Sequence, residues 1–179
     1  MAIPRPPEQA LFFVGILASG SRELALAADA LEREFGPANS GSRVWAFDNT
    51  GYYRDELGPA PIRAFLAWDG LFSSDRIGHR KIATNRLEQE LASAAAGDLS
   101  RPVNLDPGYL TLAKVVLASA KNYAHRIHLH DSIYAEITLQ YKQGCFHVLP
   151  WTFPDYASGK YDAFFLGLRQ RLEREARER

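Results

Sequence analysis

The stretch VNLDPGYLTLAKVVLASAKNYAHRIHLHDSIYAEITL, residues 103–139, decides how the chain is read, because it holds most of the turning points and most of the side chains able to do chemistry. Pro102 to Leu105 reads as a short strand. Asp106-Pro107 then has the capping and first-position chemistry of a helix start, with Leu110, Ala113 and Leu117 at helical spacing behind it. The β-branched pair Val115-Val116 keeps a strand open as the alternative. Further on, His125–Leu129 and Ile133–Tyr141 read as an antiparallel hairpin turning at Asp131-Ser132. A two-residue turn there pairs 130 with 133, 127 with 136 and 125 with 138. His125, Ile127 and Leu129 then share a face with Tyr134, Glu136 and Thr138, which makes His125 a diagonal neighbour of Glu136.

Outward from this stretch, residues 1–10 read as a proline-rich extended leader and residues 11–179 as a single domain. Leu11–Leu17 is continuously apolar, as a strand covered on both faces should be. Leu24, Ala28, Leu31 and Phe35 fall at helical spacing before Gly36-Pro37. Ser42–Asp48 and Ile62–Trp68 alternate as strands, and a helix is signalled from Ile77 through Leu91 to Gly97. The order β-α-β-β-α-β predicts an α+β protein with a ferredoxin-like, split β-α-β core. Its antiparallel or mixed sheet is extended by the C-terminal hairpin. A last helix with Tyr161, Phe164, Phe165, Leu168 and Leu172 on one face closes it.

Composition narrows the function classes. The chain of 179 residues carries 21 Lys+Arg against 21 Asp+Glu, so it has no overall attraction for nucleic acid or an anionic membrane. The single cysteine, Cys145, excludes an internal disulfide and a zinc-thiolate cage, and reads as a small buried residue in a reducing compartment. The longest apolar run, Ala10–Ala18, is too short to span a bilayer and lacks the basic flank of a signal peptide. A cytoplasmic protein is expected. No GxxxxGK[ST] or dinucleotide fingerprint is present, nor the aromatic strand motif of RNA-recognition modules. His-x-Ser/Thr occurs once, at His130-Asp131-Ser132, and not twice as the two-histidine phosphoesterases require.

FDNTGYYRDELG, TNRLEQEL, VNLDPGYLTLAKVVLAS, HRIHL with YAEITL, and PWTFPDY follow one another in an order that resembles the domain-of-unknown-function 4416 family. That resemblance implies a bacterial or archaeal single-domain protein, and some members are labelled GTP-binding, a label the missing P-loop speaks against. It also implies that a lysine at Lys121, a histidine at His125 and a glutamate at Glu136 belong to the family pattern, whereas His128 and His130 do not. It carries no reaction.

Several constellations have both a functional and a bland reading. A carboxylate beside an imidazole poises a general base, so His125 with Glu136 is either an acid/base pair or a polar sheet face satisfying itself. Lys114 and Lys121 lie on one side of the expected helix and, with Arg126, form a cationic set for phosphate or carboxylate, or else a solvated face. Asn104, Asp106 and Tyr109 of the NLDPGY corner either face an anion at a helix start or merely turn the chain. Asp48, Tyr53 and Glu56 sit in a polar and aromatic loop at a strand end, where function concentrates. His128 and His130 share a strand face with His125 pointing away, so no metal site is assigned, and no cofactor is named. The leading expectation is binding of an anionic small molecule bearing phosphate or carboxylate, nucleotides included, with His125 as acid/base, Glu136 as orienter or second base and Lys121 as anion stabiliser; whether the chain is an enzyme stays open. The alternative is a non-catalytic module docking a protein partner through Tyr52, Tyr53 and Trp151–Tyr156, or a homodimer formed through a sheet edge.

Overall fold

The computed structural model describes residues 3, 6–48, 54–95 and 99–177. In chain order the elements are β1 (Leu11–Ala18), α1 (Ser21–Phe35), β2 (Ser40–Gly41), β3 (Trp45–Ala46), α2 (Arg54–Leu57), β4 (Ile62–Ala67) and, after a 3-10 turn at Ser74–Arg76, α3 (Ile77–Ala94). Then come β5 (Val103–Leu110), β6 (Lys114–Ser119), β7 (Ile127–His130), β8 (Ile133–Lys142), β9 (Cys145–Val148), α4 (Pro154–Ala157) and α5 (Asp162–Arg177). The chain is an α+β protein built on one large sheet of order β2-β4-β1-β5-β6-β8-β7. β3 shares the outer edge of β4 with β2, and β9 shares the outer edge of β8 with β7. Every pairing among the described residues is antiparallel.

β1 lies at the centre of this architecture, and all eight of its residues are buried. Its alternation feeds two cores. Phe12, Val14 and Ile16 pack with Ala27, Ala30 and Leu31 of α1 and with Ile77 and Leu87 of α3. Leu11 and Phe13 point the other way, to Phe165, Leu168 and Leu172 of α5 and Tyr156 of α4. Burying each of these large side chains contributes about 1.5–3 kcal/mol, so helices on both faces are needed to stabilise one central strand. Among the described residues no helix is long and apolar enough to cross a membrane.

The helix expected after Asp106 is not formed. Asp106 and Pro107 lie inside β5, and Val115 and Val116 lie in β6. The strand alternative wins because the segment is walled in on both sides, by β1 along the whole of β5 and by β8 along β6. Pro107, with no N–H to give, sits just outside the β5–β6 ladder of Gly108–Leu110. Gly108 permits the close approach, since a Cβ there would stand 2.5 Å from the Val116 carbonyl oxygen and 2.6 Å from Phe13. With the helix goes the shared lysine face. Lys114 opens β6 and meets Glu8 at 3.3 Å, while Lys121 lies past its far end.

Other departures are local. Of the strand expected over Ser42–Asp48 only Trp45–Ala46, β3, forms, and the two-residue β2 at Ser40–Gly41 precedes it on the same sheet edge. Ala10, expected in the leader, already bridges Phe72. The hairpin turn falls where expected, with Asp131 and Ser132 at φ 48° and 60°, as a two-residue turn compatible with strand twist requires. A bulge at Leu129 then shifts the register, so Ile127 faces Ala135 rather than Glu136. It also separates two histidines: His128 packs on Tyr134, and His130 turns to His79 of α3. Cys145 is exposed, because β9 lies on the outer edge beyond the helices.

Candidate functional site

Strand parity places Asn104 and Asp106 of β5, Ser119 of β6 and Glu136 of β8 on the sheet face that α5 covers. That cover is partial. Beyond it, the connections after β6 and after β9 rise on either side and leave a cleft of about 730 Å³. Asn104, Asp106 and Ser119 form part of its sheet wall, and Arg101 flanks them. Lys121, Tyr123, His125 and Arg126 come from one connection, Trp151 and Phe153 from the other.

Glu136 organises one wall. Its carboxylate is buried and accepts from Arg126 Nε at 2.7 Å and from Thr138 Oγ1 at 3.2 Å, while His125 Nε2 stands 3.1 Å away. A carboxylate oxygen at that distance accepts, so Nε2 carries a proton and Nδ1 is the ring nitrogen left to take one up. The imidazole stacks on Trp151, whose Nε1 donates to the Ile137 carbonyl at 2.8 Å. Arg126 also donates to Ser119 Oγ at 2.9 Å and to the Lys121 carbonyl at 2.8 Å. One buried carboxylate thus fixes the imidazole directly and, through Arg126, the path of the chain that carries Lys121.

The opposite wall rests on a second network. Arg63 of β4 is buried, donates to Asp106 Oδ2 at 2.9 Å and lies 3.5 Å from Asp155, which also accepts from Tyr161 at 3.1 Å. Its guanidinium crosses β1 at Gly15, which faces both Phe65 and Asp106 and whose missing side chain leaves the room. Burial pushes the Asp106 carboxyl up, but the charges of Arg63 and Lys81 outweigh it and hold the group below the ordinary aspartate range. Burial opposes the Arg63 charge in turn, and Asp106 with Asp155 outweighs that, raising the guanidinium above its usual value. Behind Asn104, Glu88 of α3 accepts from Arg101 at 2.7 Å and from the Leu105 amide at 2.9 Å. Lys81 donates to the Leu105 carbonyl at 2.7 Å.

Residues 8–172 match the family described as Domain of unknown function (DUF4416). The chain belongs to that family. No curated protein and no solved structure matches it. The DUF4416 match spans the whole cleft, from Arg101 to Phe153.

Of the residues singled out in the sequence, Asn104, Asp106, Lys121, His125 and Arg126 converge on the cleft, and Glu136 lies buried behind it. Glu56 reaches Arg101 at 3.4 Å. Lys114 lies with Glu8, Tyr109 packs near Phe72, and Asp48 meets Lys160 at 3.5 Å; none of the three lines the cleft. Tyr52 and Tyr53 fall outside the described residues. Ser119 and Asp155 lie in the VNLDPGYLTLAKVVLAS and PWTFPDY stretches without a ligand-binding role read from them, and Arg63 and Arg101 lie outside the quoted stretches. Among the described residues no group of three or more His, Cys, Asp and Glu side chains could hold a metal ion.

Proposed function

We propose that this DUF4416 protein binds an anionic small molecule, bearing phosphate or carboxylate, in the cleft between the β6–β7 and β9–α4 connections. His125 is its acid–base group, and Glu136 positions that imidazole. One observation carries the reading: Lys121, Arg126 and a carboxylate-held, ring-stacked imidazole converge on one concave site. Lys121 at the rim supplies positive charge, and Arg126 is held in place by Glu136. A ferredoxin-like core carries the site in this reading. The order of β2 and β3, then β4, β1 and β5, with α1 and α3 on one face, supports that architecture.

The test is a thermal-shift screen of the wild type, His125→Ala and Lys121→Ala against inorganic phosphate, nucleotides, phosphorylated sugars and dicarboxylates. A ligand at about 100 times its Kd stabilises by about 2.7 kcal/mol, which for a chain of this size raises Tm by roughly 5–10 °C. The expected result is such a shift in the wild type and its loss in both variants. No shift with any probe, or equal shifts in wild type and variants, would overturn the assignment.

A further inference from the structure

On the sheet face opposite the cleft, the end of α1 and the start of α3 leave two adjoining concavities of about 480 and 280 Å³. Phe35, Arg76 and Arg80 bound both of them. The Arg80 guanidinium stands over the rings of Phe35 and Phe12, 4.5 and 5.1 Å from their centroids. The ring faces meet part of its charge and leave its N–H edge in need of an acceptor. None is supplied: neither Arg76 nor Arg80 makes an ion pair or a side-chain hydrogen bond with a described residue. The carboxylates of the same walls are engaged by other groups, Glu34 by Arg86, Asp69 by Arg171 at 2.9 Å and Asp75 by the Ser73 hydroxyl. The electrostatics single out the same spot. Arg63 and Arg101 are raised above the usual arginine value because their carboxylate partners outweigh burial. Arg80 goes the other way: burial, and then the charge of Arg76, lower it, and the more distant Glu34 does not make up the difference.

We infer that Arg76 and Arg80 form a second ligand site, for a small dianion: a phosphate group or a dicarboxylate. A half-buried cation set beside another cation, with no counter-ion, is held at a cost in free energy that a bound anion removes. Guanidinium forks take either kind of oxyanion through paired N–H donors, and two forks one turn apart match two negative charges. The concavities on either side leave room for the rest of the ligand. No residue lines both this site and the cleft, so the assignment is independent of the function proposed there.

The test is calorimetric titration of the full chain carrying Lys121→Ala, which removes the cation proposed for the cleft, with inorganic phosphate, succinate and acetate. Phosphate, succinate or both should bind saturably at one site, and acetate, with a single charge, should bind at least about 10-fold more weakly. The dianion that binds more tightly identifies the chemistry of the ligand. Adding Arg76→Gln or Arg80→Gln should weaken that binding about 10- to 100-fold, as expected for the loss of one charge-assisted pair. Arg76 is exposed, so Arg76→Gln decides if circular dichroism shows that Arg80→Gln fails to fold. Absence of saturable binding by either dianion, acetate binding as tightly as they do, or binding unchanged by Arg76→Gln overturns this site and leaves the reading of the cleft standing.

Discussion

The imidazole of His125 lies flat on the indole of Trp151, with 5° between the ring planes and 5.1 Å between centroids. The same imidazole stands 3.1 Å from the buried Glu136 carboxylate. Stacking sets the ring plane and the carboxylate sets which nitrogen faces inward, so Nδ1 is presented in one orientation.

Trp151 should therefore report on the cleft. Trp68 is buried in the core on the other face and Trp45 packs against Tyr161, so neither touches the site. Titrating AMP into the wild type should change tryptophan emission, and Trp151→Phe should abolish the change while keeping the signal of the other two. A response that survives Trp151→Phe would place the ligand elsewhere.

Arg63 holds two acidic side chains, Asp106 and Asp155, inside the protein. Arg63→Met leaves both without their cation and should cost about 3–5 kcal/mol in urea unfolding. The pH dependence has a definite sign. The Asp106 carboxyl is held below its ordinary value, so its contribution is full above the unfolded value of about 4 and is lost as pH falls through the lower folded value. Between pH 5 and roughly 2, wild-type stability should thus fall more steeply than that of Arg63→Met. Parallel pH profiles would show that the pair does not set the Asp106 carboxyl.

Gly15 clears the path of the same guanidinium. A Cβ there would sit 3.0 Å from Arg63 Nη1 and 3.1 Å from Phe65 Cε1, and neither neighbour is free to retreat in a filled core. Gly15→Ala should destabilise by about 1–3 kcal/mol through overpacking. It should cost less in an Arg63→Met background, where one of the clashing groups is gone. Additive losses in a double-mutant cycle would separate the glycine from the arginine.

Ser132 adopts φ 60° in the β7–β8 turn, a left-handed conformation that a side chain disfavours. Ser132→Gly should stabilise by about 1 kcal/mol with no effect on the cleft, as judged by an unchanged AMP isotherm. A loss of stability would mean that the hydroxyl outweighs the backbone cost.

How far the sequence reveals this arrangement depends on the kind of signal. The continuous apolar run of β1, the α1 and α5 stripes and the Asp131-Ser132 turn are local patterns, and each forms where the pattern lies. The NLDPGY corner misleads because helix-start chemistry at Asp106-Pro107 is local, whereas the two flanking strands that override it are distant in sequence. His125 and Glu136 meet as expected, though by another route: the bulge at Leu129 changes the register, and His125 reaches Glu136 from outside the strand. Two buried networks left readable traces. Arg63 shares its strand face with Phe65 and Ala67, and Lys81, Thr84 and Glu88 fall on the buried stripe of α3 between Ile77 and Leu91. A charge at a core position is a sign of a buried partner, although its identity needs the tertiary structure.

The measurement that tests the central claim most directly is an amide and side-chain NMR titration of the labelled full chain with AMP. Binding in the cleft predicts saturable shifts in the backbone from Ser119 to Arg126, the His125 ring and the Trp151 indole. It also predicts their disappearance in Lys121→Ala. Shifts centred on another part of the surface, or a spectrum unchanged at millimolar AMP and inorganic phosphate, would contradict the account.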